Sequence, residues 1–262
     1  MKRRWLGLLL LGLIIYALVL AYRFPAAWAL HWSRDRIPPT VEWGGVSGSV
    51  LDARVARLAL TVPGGGTPVI GPVEWRTSLH RAVFGHMPLT FRAEALQGEV
   101  NGQARLQPGG WRLPVLKGRF SLAALPEVLP QLAMAQVEGR VLFRARDLQG
   151  GYAQPPQSGK LRATVEGLAA GLIETDRPLG DYQVALELQS GGQLAGEVTT
   201  VNDDALLRIQ GRLRGDLKAG RLRFNGRGEV PPDAPAMVRD ILPLLGSVNG
   251  DRVRIQWQGR LR

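Results

Sequence analysis

Apolar and polar residues alternate one by one along most of this chain, and this pattern restricts the fold more than any other feature. The closing stretch shows it clearly, because Val253, Ile255 and Trp257 are separated by single polar residues. The same spacing recurs around Leu207 and Tyr182. A period of two residues places the apolar side chains of a strand on one face of a sheet, so we expect Val253, Ile255 and Trp257 to share a buried face. The pattern predicts a mainly β protein, and the glycine-containing breaks favour antiparallel pairing.

Two stretches interrupt the alternation and have the composition of short helices. They are "SLAALPEVLPQLAM" (residues 121–134) and "PDAPAMVRDILPLLG" (residues 232–246), and each leads through Val-x-Gly into an alternating strand. The glycines of these links, Gly139 and Gly250, lie about 110 residues apart, and other glycine motifs recur at nearly the same offset. We therefore predict a first β repeat at residues 47–150, a connecting loop at 151–157 and a second β repeat at 158–262. Together they should form one twisted antiparallel sheet, with one short helix in each repeat.

The N-terminal residues have the pattern of a membrane anchor. A basic cluster at residues 2–4 precedes an uncharged, apolar run over residues 5–22, which as a helix would rise roughly 27 Å, about the thickness of a hydrocarbon core. We expect residues 1–4 in the cytoplasm, 5–22 as a single transmembrane anchor in the inner membrane, 23–46 as a linker and the rest in the periplasm. A cleaved signal peptide is the alternative, since Ala27-Trp28-Ala29 imitates a cleavage site. The residues with anchoring roles are Lys2, Arg3, Arg4, Trp5, Tyr16 and Tyr22.

Catalytic and metal-binding patterns are weak in this sequence. The chain has no cysteine, which excludes disulfides and thiolate ligands. Its histidines, His31, His80 and His86, do not have the spacing of ligands on one helix face. We therefore predict no catalytic, cofactor or metal site, and no nucleic-acid partner. The net charge of +11 has two explanations that stay open, a GC-rich codon usage or a surface that attracts anions.

Three stretches carry a resemblance to a known family. They are the glycine-rich entry "WGGVSGSVLDARVARLAL", the strand "GPVEWRTSL" and the closing "LPLLG…NGDRVRIQWQGRL". With the anchor before them, they make the chain similar to protein N of the type II secretion system, an inner-membrane accessory protein whose periplasmic part belongs among the AsmA-like repeat domains. The resemblance implies a membrane-anchored, non-catalytic component that contacts other parts of the secretion system. The motif residues are Gly45, Gly48, Gly71, Trp75, Gly139, Gly246, Gly250 and Trp257.

Two functions fit such a β domain. The first is a scaffold that docks on other secretion components, for which exposed sheet edges are suited because they can accept a partner strand. The second is a lipid handler, in which the apolar face of the sheet shelters acyl chains from inner-membrane lipids. The residues alone do not separate the two, and they do not define the oligomeric state.

Overall fold

The computed structural model describes residue 19, residues 22–32, residue 34 and residues 40–61, 66–77, 87–107, 109–151, 156–171 and 175–260. Fourteen strands in this part of the chain form one sheet. The strands are β1 (Val41–Ser49), β2 (Asp52–Leu60), β3 (Val69–Thr77), β4 (Met87–Ala95), β5 (Gly98–Gln107), β6 (Gly110–Ser121), β7 (Val137–Gly150), β8 (Ser158–Ala170), β9 (Gly180–Gln189), β10 (Gln193–Thr200), β11 (Arg208–Asp216), β12 (Arg221–Glu229), β13 (Ser247–Asn249) and β14 (Arg252–Arg260). The helices are α1 (Ala26–Trp32), α2 (Ala236–Asp240), α3 (Leu242–Leu245) and two 3₁₀ helices at Leu122–Glu127 and Pro130–Ala135.

Each strand lies beside the strand that follows it in the chain, up to β12. The order then ends β12-β14-β13, so that β13 lies at the edge of the sheet and β14 lies between β12 and β13. All the pairs are antiparallel, including β7 with β8 across the predicted connecting loop. These observations confirm the prediction of a mainly β protein with one continuous antiparallel sheet.

Both helical predictions need correction in detail. Residues 121–134 form two 3₁₀ helices rather than one helix, because Pro126 and Pro130 interrupt the chain where an α-helix would need backbone donors. The hydroxyl of Ser121 accepts a hydrogen bond from the backbone N–H of Ala123, which begins the first of them. Residues 232–246 contain the two very short helices α2 and α3, and Pro243 lies in the first turn of α3.

The predicted N-terminal anchor lies outside the described residues, apart from Val19 and Tyr22. Lys2, Arg3, Arg4, Trp5 and Tyr16 are outside them as well. Within the described part of the chain, no helix has the length and apolar character to cross a membrane. The segment predicted as a linker, residues 23–46, contains α1 and most of β1.

The best-packed part of the sheet lies beneath α2 and α3. Val238 and Leu242 of these helices are almost fully buried and pack against Val230 and Val253 of the sheet end. Leu206 and Leu207 complete the same cluster from the segment before β11. The apolar side chains of α2 and α3 therefore cover one end of the sheet, beside the ends of the strands from β9 to β14, and bury its apolar face there.

Candidate functional site

The described residues offer surfaces rather than a reaction centre. Among them, no group of three or more His, Asp or Glu residues is placed to hold a metal ion. His31 lies exposed on α1, whereas His80 and His86 lie outside the described residues. Three features of the sheet could bind a partner, and these are the outer edge of β14, the apolar face and the opposite, polar face.

The outer edge of β14 is open over most of its length. β13 pairs only with the first three residues of β14, from Arg252 to Arg254, and no described strand lies beside residues 256–260 on that side. The N–H of Val230 donates to the carbonyl of Asp251 at 2.9 Å, which sets the alternation of the β12–β14 ladder. Every second residue from 251 onwards therefore bonds to β12, and the backbone groups of Gln256 and Gln258 point outward.

Trp257 lies on this edge strand, and the prediction of its burial was wrong. Its side chain is 51% exposed, although it shares a face with Val253 (1% exposed) and with the half-buried Ile255. Phe224 of β12 lies opposite Trp257 on one side, while no described strand covers it on the other. The alternation correctly gave the face of the sheet, but burial also requires a neighbouring strand. An exposed tryptophan beside an open edge is a suitable anchor for a partner strand.

The other edge strand, β1, is less regular. Gly45 (φ +66°) and Gly48 (φ +86°) adopt left-handed backbone conformations, which interrupt the regular spacing of the outward N–H and C=O groups. At its end, the chain before α1 contacts the strand, since Pro25 forms a bridge with Ser49 and Val50 donates to the carbonyl of Phe24. Two of the predicted motif glycines thus shape this edge, and β14 offers the longer regular ladder.

The strand motif around Gly71 and Trp75 has a structural role. The indole Nε1 of Trp75 donates to the carbonyl of Val50 at 3.0 Å, so the side chain fixes the turn between β1 and β2. Gly71 lies at a β-bulge, where the register of β3 and β4 shifts between Gly71 and Val73. These two residues therefore order the first strands of the sheet.

The remaining motif glycines lie at turns, bulges and close approaches near the helical segments. Gly250 (φ +60°) forms the tight turn between β13 and β14, and Gly139 lies at a bulge at the start of β7. A side chain on Gly246 would overlap the carbonyl of Arg254, so this glycine allows the end of α3 to contact β14. The structure brings Gly246, Gly250 and Trp257 together at one end of the sheet, while Gly45, Gly48, Gly71 and Trp75 lie at the other.

The apolar face continues across the sheet and is partly covered by its own aromatic rings. The ring of Phe143 lies over Gly118 of β6, and that of Phe224 lies over Gly211 of β11 and Gly226 of its own strand. A side chain at any of these glycines would collide with the ring. Aromatic side chains that cover glycines on neighbouring strands stabilise a sheet that lacks a second layer. Apolar residues of this face outside the cluster beneath α2 and α3, such as Leu161 and Leu186, are only half-buried.

Basic residues dominate the polar face. Several form ion pairs across neighbouring strands, but at least one side chain of each pair is more than half accessible, so each pair contributes at most about 1 kcal/mol. The pairs on this face include Arg54–Glu74 (3.2 Å), Arg76–Asp52 (3.1 Å), Arg92–Glu99 (3.0 Å), Lys160–Glu187 (3.4 Å) and Arg252–Glu229 (3.6 Å). Other basic residues of the face lie opposite each other, and no sequence pattern identified them because the register of the strands is needed to do so.

Tyr182 is a buried polar side chain that sequence analysis had assigned to the apolar face. Its hydroxyl donates to the carbonyl of Leu207 at 2.7 Å and lies 3.3 Å from the carbonyl of Leu179. Burial, with a smaller contribution from the neighbouring Asp181 carboxylate, raises the pKa of Tyr182 above its usual value. The hydroxyl therefore stays protonated and connects β9 to the segment before β11.

Comparison with known protein families identifies a match over most of the chain. A family model described as "Type II secretion system (T2SS), protein N" matches residues 39–256, which is most of the chain. The matched range begins just before β1 and ends within β14, so it spans nearly the whole described sheet. No curated protein and no solved structure matches the chain.

Proposed function

The chain belongs to the type II secretion system protein N family, and we propose that it is a non-catalytic component that docks on another secretion component through the open edge of β14. The family makes other secretion components the expected partners. The observation that carries the docking proposal is the row of outward backbone groups at Gln256 and Gln258, which no described strand occupies. An edge of this kind accepts an extended segment of a partner as an additional strand.

Trp257 adds specificity to this edge. A partner strand beside β14 would place a side chain next to the indole, and an apolar side chain there would cover the half of Trp257 that is now exposed. On the opposite face the same strand would lie beside Gln256 and Gln258. The expected partner segment is therefore extended and alternates apolar with polar residues.

A proline at position 258 tests the proposal. The N–H of Gln258 points away from β12, so Gln258→Pro removes a donor that only a partner strand would use and leaves the β12–β14 ladder intact. We expect Gln258→Pro to reduce the secretion of type II substrates into the medium while the protein accumulates at its normal level. The matched control is Gln258→Thr, which keeps the backbone N–H and should secrete normally.

The alternative outcomes separate docking from folding. If cells with Gln258→Pro and cells with Gln258→Thr both secrete type II substrates as well as cells with the unchanged protein, the edge is not a docking site. A proline variant that is degraded in cells would be compared with Gln256→Pro, which removes the next outward donor from the strand. Normal secretion by that variant would also refute the proposal.

We place the protein in the inner membrane with the sheet in the periplasm. The support is the sequence, in which the basic residues 2–4 precede the apolar run 5–22 and no second such run follows. An alkaline phosphatase fusion after Arg262 should be active, and N-terminal sequencing should find residue 1 or 2. A mature protein that begins near Leu30 would overturn the anchor in favour of a cleaved signal peptide.

We also infer that the sheet arose by duplication. In support, a helical segment and then an alternating strand follow β6, and a helical segment and then the β13–β14 hairpin follow β12. The two helical segments lie about 110 residues apart in the chain, which is the offset of the glycine motifs. The continuity of the sheet across the two repeats predicts that residues 158–262 do not fold alone, because β8 would lose its pairing with β7. A soluble fragment with its own sharp thermal transition would contradict this.

Lipid handling is a second candidate, favoured by the half-buried apolar face. Leu161 and Leu186 lie opposite each other on neighbouring strands, outside the cluster beneath α2 and α3. An acyl chain on this face would remove apolar surface from water. Organic extraction and mass spectrometry of the purified protein would reveal a stoichiometric phospholipid. A Leu161→Glu variant should lose that lipid, and its retention would exclude this site.

A further inference from the structure

The polar face carries a row of like charges at its centre. Lys117 of β6 lies opposite Arg144 of β7, and Arg144 lies opposite Arg162 of β8, so three consecutive strands present a basic residue in register. On the next row, Arg146 lies opposite Lys160. We name these five residues the basic ladder. All five are exposed, and among the described strand pairs no other run of like charges crosses three strands.

This arrangement opposes folding. Residues directly opposite each other in an antiparallel pair have Cβ atoms about 5 Å apart, and like charges at that distance destabilise the sheet. Within the described residues, only Lys160 of the five lies within ion-pair distance of a carboxylate, that of Glu187 at 3.4 Å. Asn101 and Ala185, at the two ends of the three-strand row, bring no negative charge. The repulsion among Lys117, Arg144 and Arg162 therefore has no ion pair to relieve it within the described residues.

We propose that the basic ladder binds an acidic segment of a partner protein. Its positions are about 4.8 Å apart across the strands and about 6.8 Å apart along them. Carboxylates spaced two residues apart on an extended chain, or three to four apart on a helix, fit that grid. Guanidinium groups bind carboxylates through two parallel hydrogen bonds, which favours arginine over lysine here. Bound carboxylates would also remove the repulsion among the five cations.

The side chains beside the basic ladder favour a protein over a membrane surface as its partner. Basic surfaces that bind bilayers also insert aromatic or leucine side chains beside the cations. Over residues 115–119, 140–146 and 160–166 the one aromatic residue is Phe143, and it lies on the opposite, apolar face over Gly118. Leu142 is exposed on the polar face beside Arg144, but a single leucine does not form the apolar stripe with which such surfaces enter a bilayer. The inference rests on the proposed function in taking the partner to be another protein, but it concerns a different surface from the edge of β14.

The test measures the binding of a fluorescein-labelled oligoglutamate to the purified full chain in non-ionic detergent. The variant Lys117→Gln/Arg144→Gln/Arg162→Gln should bind about tenfold more weakly, since three charge pairs are lost. The control Arg54→Gln/Arg76→Gln/Arg92→Gln removes the same charge from the same face, but its arginines are already paired with Glu74, Asp52 and Glu99. It should change the affinity by less than about twofold. Equal losses in both variants, or no binding to the unchanged protein, would overturn the proposal.

Competition identifies the kind of anion. Unlabelled oligoglutamate should displace the probe at lower anion concentration than inorganic phosphate or micelles that contain phosphatidylglycerol. More effective displacement by the lipid would assign the ladder to a membrane surface, and equal displacement by phosphate would show a general attraction for anions. Either result would overturn the proposal. Failure here would leave the proline test of the β14 edge unaffected, because that test reports secretion through a different surface.

Stability provides an independent readout. Without a ligand, Arg144→Gln should raise the melting temperature by about 1–6 °C, because it removes repulsion on both sides of β7. The same variant should bind the probe more weakly. Replacing a residue that only supports the fold would lower the melting temperature. A lower melting temperature for Arg144→Gln would therefore refute a binding role for the basic ladder.

Discussion

The two leucines of α3 offer a matched test of how this sheet is held together. Leu242 is 1% exposed and belongs to the cluster that includes Val238 and Val253, whereas Leu244 is 84% exposed. Both lie in the same four-residue helix. Replacing either with alanine changes helix propensity equally, so the difference between the two variants reports burial alone.

The expected magnitude follows from the packing of Leu242. Leu242→Ala removes an isopropyl group from the core, which at about 0.8 kcal/mol per carbon destabilises the fold by roughly 2.4 kcal/mol. The cavity that remains between α3 and the sheet adds to this, so we expect a total of about 3–4 kcal/mol. Leu244→Ala should stay within about 0.5 kcal/mol of the unchanged protein.

The assay is urea unfolding of the full chain in a non-ionic detergent, followed by near-UV circular dichroism. For a chain of this size the loss in Leu242→Ala corresponds to a fall in melting temperature of roughly 6–16 °C. Equal transitions for the two variants would refute the account, because they would mean that α2 and α3 do not bury the sheet end. A separate first transition of small amplitude in Leu242→Ala, before the main one, would indicate local unfolding of that end instead.

Three further substitutions follow from the structure. Tyr182→Phe should lower the free energy of unfolding by about 1–3 kcal/mol in urea titrations, because the carbonyl of Leu207 loses its donor. Since the folded protein raises the pKa of Tyr182, this stabilisation is present below about pH 10 and is lost as pH rises further, so the two proteins should converge in stability at high pH. Gln97→Gly should stabilise the turn between β4 and β5 by about 1 kcal/mol, since Gln97 adopts φ +55°, and an unchanged melting temperature would contradict this. Trp257→Ala should destabilise the isolated protein by less than about 2.5 kcal/mol, well below Leu242→Ala, and a larger loss in urea unfolding would mean that the indole is covered.

The strands and their faces could be predicted because alternation is a local property. Val253 and Ile255 lie on the face that their spacing indicated, and the antiparallel pairing of β7 with β8 agrees with the alternation on both sides of the loop. Burial could not be predicted in the same way, because it depends on which strand lies alongside. Trp257 has the same periodicity as Val253, but Val253 lies beside β13 and beneath α2 and α3, whereas Trp257 lies beyond all three.

The candidate surfaces depend on register, which a single sequence does not contain. Lys117, Arg144 and Arg162 belong to three separate strands, and nothing in their spacing shows that they lie opposite one another. The net charge of +11 indicated an excess of cations but not their alignment. The prediction of a single helix at residues 121–134 was wrong for a different reason. The apolar pattern of this segment suits an α-helix, but Pro126 and Pro130 divide the segment into two 3₁₀ helices.

Photo-crosslinking in cells tests most directly whether the open edge of β14 docks on the secretion system. A photoreactive amino acid would replace Gln258 at the edge or, as a control, Gln183, which is exposed on β9 inside the sheet. We expect the probe at position 258 to crosslink to another type II secretion component, identified by mass spectrometry, and the probe at 183 to give no such product. A functional protein whose probe at 258 reaches no secretion component, or whose two probes give the same products, would contradict docking through this edge.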